Sequence, residues 1–130
     1  VADAADVAVV QSVARSFGAA AGLGSQDQWA LATAATEAAT NILKFSGHGW
    51  VTFRVLADPS GVVEFHAVDV GPTGPGLADG VVPVASPASR GLGCGLGAIQ
   101  RLMDQTAVEN LPGGGFSVTA RKRVRTGDPP

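Results

Sequence analysis

Glu37 and Asn41 stand four residues apart, and Lys44 follows three later, in a segment rich in alanine, leucine and glutamine. On a helix this spacing projects a carboxylate, an amide and an ammonium from one side of the cylinder. The carboxylate can accept a proton from an attacking hydroxyl or water, the amide oxygen can ligate a hard cation, and the ammonium can meet a phosphate. Taken alone, such a trio is more often a solvated helical face. The small side chains of Ala34, Ala35, Ala38 and Ala39 would let a ligand approach closely and shift the balance toward chemistry.

Asp69 stands where a strand-like run gives way, after Val70, to glycine. A carboxylate at a sheet rim can accept a hydrogen bond from an exocyclic amine such as that of adenine, and Gly71, Gly74 and Gly76 would let backbone come near a ring. The competing reading is an ordinary turn-initiating aspartate. Further on, Gly91-Leu92-Gly93-Cys94-Gly95-Leu96-Gly97 sets alternate glycines just ahead of a helical pattern, where unshielded backbone N–H groups suit an anion. A flexible hinge is the alternative. Gly93-x-Gly95-x-x-Ala98 also fits a dinucleotide fingerprint, but no strand precedes it and no βαβ unit surrounds it. Neither Lys44 nor Lys122 follows a phosphate-loop glycine pattern, which excludes a Walker site.

These residues must be positioned by regular elements, and the periodicities supply them. Val7, Val10, Ala14, Phe17 and Ala21 recur at helical spacing from Ala2 to about Leu23, where Gly22 and Gly24 end the pattern. Ser25 with Gln28 has the form of a capping box opening a second helix that runs to about Phe45. Trp50 to Ala57 and Val62 to Val68 read as strands of a hairpin across Asp58-Pro59-Ser60-Gly61. Residues 71–97, rich in glycine and proline, read as one long functional loop. A third helix is expected from Leu96 to about Thr106, a short strand from Ala107 to Asn110 and a last strand from Phe116 to about Val124. The order α, α, β, β, loop, α, β, β predicts an α+β fold, a two-layer sandwich with helices on one face of a mostly antiparallel sheet.

Composition limits the function. The 130 residues, 45% of them apolar, provide one ordinary core, and a net charge of -2 with 15% charged residues argues against bulk binding to nucleic acid or to an anionic membrane. A single cysteine, Cys94, and two separated histidines, His48 and His66, leave no disulfide and no zinc cluster to expect. Cys94 reads as a small residue among glycines, and the histidines as turn and surface residues. Trp29 and Trp50 read as core, and Arg121, Lys122, Arg123 and Arg125 as a solvated basic end. No apolar run approaches the ~20 residues that span a bilayer, and no signal peptide is evident, so a soluble cytoplasmic domain is expected, with its origin in a longer protein left open.

Taken in order, the three clusters resemble the boxes of Bergerat-type ATP-binding domains, shared by histidine kinases, gyrase-type ATPases and anti-sigma-factor serine kinases. Glu37-x-x-x-Asn41 resembles the N box, Asp69-Val70-Gly71 the start of the first glycine box, and Gly91 to Gly97 the second. Gly91 through Asp104 is most similar to the anti-sigma serine/threonine kinase branch and its RsbT-like members, and the resemblance covers roughly residues 5–123. It implies ATP and Mg²⁺ as cofactors, with Glu37 as general base, Asn41 as magnesium ligand and Lys44 as a phosphate contact. By the same resemblance Asp69 reads adenine, while Gly71, Gly74, Gly76, Gly91, Gly93, Gly95, Leu96 and Gly97 line the nucleotide and Thr119 joins the adenine-side hydrogen bonds. The implied partner is a STAS-domain regulatory protein, a sigma-factor regulator or a phosphatase, with a homodimer left open. Residues 1–124 would be the ATP-binding kinase-like domain and 125–130 a tail or linker. Two departures stand out: the first glycine box carries about two extra residues, and the strand usual before the first helix is missing. A non-catalytic module that sequesters a partner, joined to a phosphatase in a longer chain, is the alternative.

Overall fold

The computed structural model of the protein describes residues 1–45, 49–56, 61–70, 89–110 and 115–124. Helix α1 spans Ala4–Ala21 and is opened by Asp3, whose side chain accepts from the Asp6 N–H while the Asp6 carboxylate accepts from the Asp3 N–H. This reciprocal pair satisfies donors that a helix start leaves without partners. Gly22 ends α1 in the left-handed region at φ 97°, and the N–H groups of Gly22 and Leu23 fold back onto the carbonyls of Ala19 and Gly18. Only glycine adopts that conformation without a steric cost.

Helix α2, Ser25–Phe45, begins differently from the sequence expectation. The Gly24 carbonyl accepts the first helical bond from the Gln28 N–H, and the Gln28 side chain donates to the Leu23 carbonyl at 2.8 Å. The Ser25–Gln28 capping box is therefore replaced by a tie to the preceding turn. Strands β1 (Gly49–Leu56) and β2 (Val62–Asp69) follow, then helix α3 (Ser89–Leu102) and strands β3 (Gln105–Asn110) and β4 (Phe116–Arg123). All pairings are antiparallel, and the order across the sheet is β1-β2-β4-β3. The fold is the α+β sandwich read from the sequence.

Two boundaries differ. Helix α3 starts seven residues earlier than its first clear apolar repeat, because the spacing of Leu92, Leu96, Ile99 and Met103 continues back through the glycines that obscured it. It also stops earlier: after Met103 N–H bonds the Ile99 carbonyl, Asp104 N–H bonds the Arg121 carbonyl and draws the chain into β3. At the other edge, Val1 exchanges backbone hydrogen bonds with Gly49, so the residue ahead of α1 pairs with β1 as a strand residue would.

The sheet alternates, as period-2 geometry requires. Val63, Phe65 and Ala67 of β2 and Val118 and Ala120 of β4 face the helices and join Ala14, Leu31, Ala35, Ala38, Ile42 and Ile99 in one core. Phe53 stacks between Phe17 of α1 and Phe65, with ring centroids at 5.6 and 6.2 Å. The alanines of α2 are buried in this core, so their small size serves close packing of the layers rather than ligand approach. Trp29 and Trp50 do not enter it: they are 56% and 52% exposed, because Trp29 lies between the buried positions of α2 and Trp50 is on the outer face of an edge strand.

That outer face carries a charged row. Glu64 is buried between Arg54 and Arg121, whose Nε atoms reach its two oxygens at 2.6 and 2.7 Å. Burial alone would raise the Glu64 pKa, but the hydrogen bonds and charges of the two arginines outweigh it and hold the carboxyl below its ordinary value of 4.5. The folded state thus favours the charged form, and its contribution is complete above that ordinary value and is lost as pH falls through the lowered one. Glu64→Gln is expected to lower the midpoint of urea unfolding at pH 7. The same variant should lose less stability than wild type between about pH 5 and 3; parallel slopes in that window would refute the assignment.

Candidate functional site

Lys122 sets the level of the helices against each other. It faces the helical layer from β4, is buried, and donates from Nζ to the Leu102 carbonyl at the end of α3 at 2.7 Å, with Asp27 of α2 at 3.7 Å. A cation belongs at a helix C-terminus, where backbone carbonyls lack partners. The sequence reading of a solvated basic end is corrected here, because alternation along β4 turns Lys122 inward while Arg121 pairs with Glu64 on the other face.

Since the C-terminus of α3 sits beside the first turn of α2 and the two helices pack together, they run antiparallel. Each residue advances a helix by about 1.5 Å. Moving from Asp27 to Glu37 along α2, and the same distance back from Leu102 along α3, arrives at Leu92. Gly91 and Gly93 are thereby level with Glu37 and its neighbours Ala38 and Thr36, while Gly95, Leu96 and Gly97 lie below, level with Ala34 and the residues before it. These glycines form the first two turns of α3 rather than a loop ahead of it.

The same end of α2 meets the end of the sheet that carries Asp69. A Cβ on Gly49 would fall 2.9 Å from the Ile42 side chain and 2.0 Å from the Val68 carbonyl oxygen, so β1 and β2 start and finish directly under the last turns of α2. Gly49 pairs with Asp69, and Asp69 pairs in turn with Phe116. Asp69 shares the helix-facing parity of Phe65 and Ala67. On its far side, Gly115 takes φ 93°, and a Cβ there would lie 2.0 Å from the Asp69 carbonyl oxygen. Two glycines therefore hold the Asp69 backbone where no other residue fits.

Asn41 is the unusual member of the group. It is 7% exposed, and its Nδ2 is buried with no hydrogen-bond partner, a state that costs about 1–3 kcal/mol. An amide can turn over and present its oxygen to the same place. Glu37, one turn earlier, is half-buried, and Lys44, one turn later, is exposed. Thr119 is not brought to this cluster. It pairs with His66 and Ala107 on the face away from the helices, since Val118 and Ala120 on either side of it take the core positions. Gly71, Gly74 and Gly76 lie outside the described residues, as do the Cys94 side chain and His48. Among the described residues no group of three or more acidic, histidine or cysteine side chains could cage an ion.

Helix carboxylate, orphaned amide, sheet-end aspartate and glycine-rich helix start thus lie toward one end of the domain. The profile of the histidine kinase-like ATPase domain matches residues 1–122. The chain belongs to that family. It is also 31% identical over 121 residues to the serine/threonine-protein kinase RsbT of Bacillus subtilis (strain 168), covering 92% of this chain and 90% of that protein. Within this histidine kinase-like ATPase domain, Lys122, Gly49 and Gly115 are the positioning residues that spacing alone did not single out. Gly115 closes Pro112-Gly113-Gly114-Gly115, and its place before a strand was the available signal. No helix among the described residues is long and apolar enough to cross a membrane.

Proposed function

We propose that this domain binds Mg-ATP at the Asp69 end of the sheet and transfers the γ-phosphoryl group to a serine or threonine of a protein partner, a STAS-fold regulator in partner switching. The observation that carries the reading is the buried, unpartnered Asn41 amide beside Glu37, in a chain related to a serine/threonine-protein kinase. The Asn41 oxygen is a fitting hard-cation ligand, and a magnesium ion needs only one or two such protein oxygens when phosphate oxygens and water complete its shell. When bound, the ion neutralises charge on the phosphates.

In this reading the partner hydroxyl oxygen attacks the γ-phosphorus, the bond to the β,γ-bridging oxygen breaks, ADP leaves, and Glu37 accepts the hydroxyl proton. Lys44 and the backbone N–H of Gly91, in the first turn of α3 where donors lack helical partners, meet phosphate oxygens, while Gly93, Gly95, Leu96 and Gly97 line the nucleotide. Asp69 accepts a hydrogen bond from the adenine amine, next to the first glycine box of Gly71, Gly74 and Gly76. Thr119 is left out because it faces the other way.

Mg-ATP at about one hundred times its dissociation constant is expected to stabilise the fold by about 2.7 kcal/mol, a rise in melting temperature of roughly 8–14 °C. Absence of any shift at millimolar Mg-ATP would refute nucleotide binding. A shift without transfer of labelled phosphate to any STAS-fold protein would leave a non-catalytic regulatory module, the reading that the lengthened first glycine box favours.

A further inference from the structure

β4 presents two different faces, and the difference falls next to Asp69. Its hydroxyl side chains, Ser117 and Thr119, occupy the parity that points away from the helices, whereas Phe116, Val118 and Ala120 occupy the helix-facing parity. Phe116 is the direct cross-strand partner of Asp69, and such pairs on one face stand about 4.5–5.5 Å apart at Cβ. The backbone of Gly115, drawn tight against Asp69 and Val70, fixes the strand that carries it. Phe116 is only 7% exposed, yet it stands outside the main apolar core that holds Phe65, Val118 and Ala120. An aromatic ring is thus spent at the sheet end, beside a carboxylate, rather than in the core.

We infer that Phe116 is a base-binding residue: its ring packs against the purine whose exocyclic amine Asp69 accepts, and it gives β4 an apolar wall there with no hydroxyl to read the base. This rests on the nucleotide-binding reading above and adds to it the way the base is held. An aromatic face tolerates any flat heterocycle, so the hydrogen-bonding choice between purines falls to Asp69 on this side of the pocket.

The test is a titration of the whole chain with Mg-ATP and, separately, with magnesium tripolyphosphate, which has the phosphates and no base. Phe116→Leu keeps an apolar side chain of similar bulk. It is expected to weaken Mg-ATP about tenfold, the scale of a lost base–aromatic contact, while changing tripolyphosphate affinity less than about twofold. The melting temperature of the variant without ligand reports whether the fold is intact, and Phe116→Tyr, which keeps the ring, should retain most of the ATP affinity. Equal losses for both ligands, or undiminished ATP affinity in a folded Phe116→Leu, would overturn the assignment while leaving nucleotide binding in place. If wild type bound tripolyphosphate and ATP equally, no base contact would exist and the inference would fall with the purine site itself.

Discussion

Glu37→Ala is expected to reduce phosphoryl transfer to a protein partner by roughly 10²–10⁴-fold, the usual contribution of a positioned general base. Affinity for Mg-ATP should change little, because in the proposed reaction the carboxylate would meet the attacking hydroxyl rather than the nucleotide. The reason lies in placement. Glu37 is one helical turn before the buried Asn41 and level with the glycines that begin α3, so a carboxylate, a buried amide and free backbone N–H groups share one end of the domain. Glu37→Gln should behave similarly, since an amide preserves size and polarity but does not take the proton. Rates within twofold of wild type for both variants, measured with labelled ATP, would remove Glu37 from the chemistry.

The largest effect on folding is expected from Phe65→Ala, at about 3–5 kcal/mol. Phe65 is fully buried at the middle of β2, in contact with Phe53 and opposite Ala120. Truncation would lose the transfer free energy of the ring and leave a cavity between the layers. The surrounding residues on α2 are mostly alanine, which have no side-chain length to spare for filling it. Urea unfolding would measure the loss, and a cost under about 1 kcal/mol would mean that the layers collapse onto the gap.

What could be read from the residues was whatever repeats within one element. The apolar spacing of α1 and α2, the hairpin turn and the Glu37-x-x-x-Asn41 pair are local, and the α+β fold followed from their order. The features that were hidden depend on parity or on partners distant in sequence. Thr119 and Lys122 differ by three residues on one strand, so they face opposite ways, and which of them turns inward is decided by the Phe65–Ala120 pairing. Trp29 looked like core by composition, but a helix covered on one side leaves outward positions whatever their size. The start of α3 was concealed because glycine, with no side chain, contributes nothing to an apolar repeat. Phe116 became conspicuous only when its register with Asp69 was known.

The ammonium of Lys122 works as a gauge for the phase of α3. A slip of that helix by a single position would rotate it by about 100° and advance it by about 1.5 Å. Its terminal carbonyl would then leave the buried donor that serves it, and the glycines about three turns away would present a different edge to Glu37. The placement of the glycine-rich start of α3 is in this way enforced by a bond made at the opposite extremity of the helix.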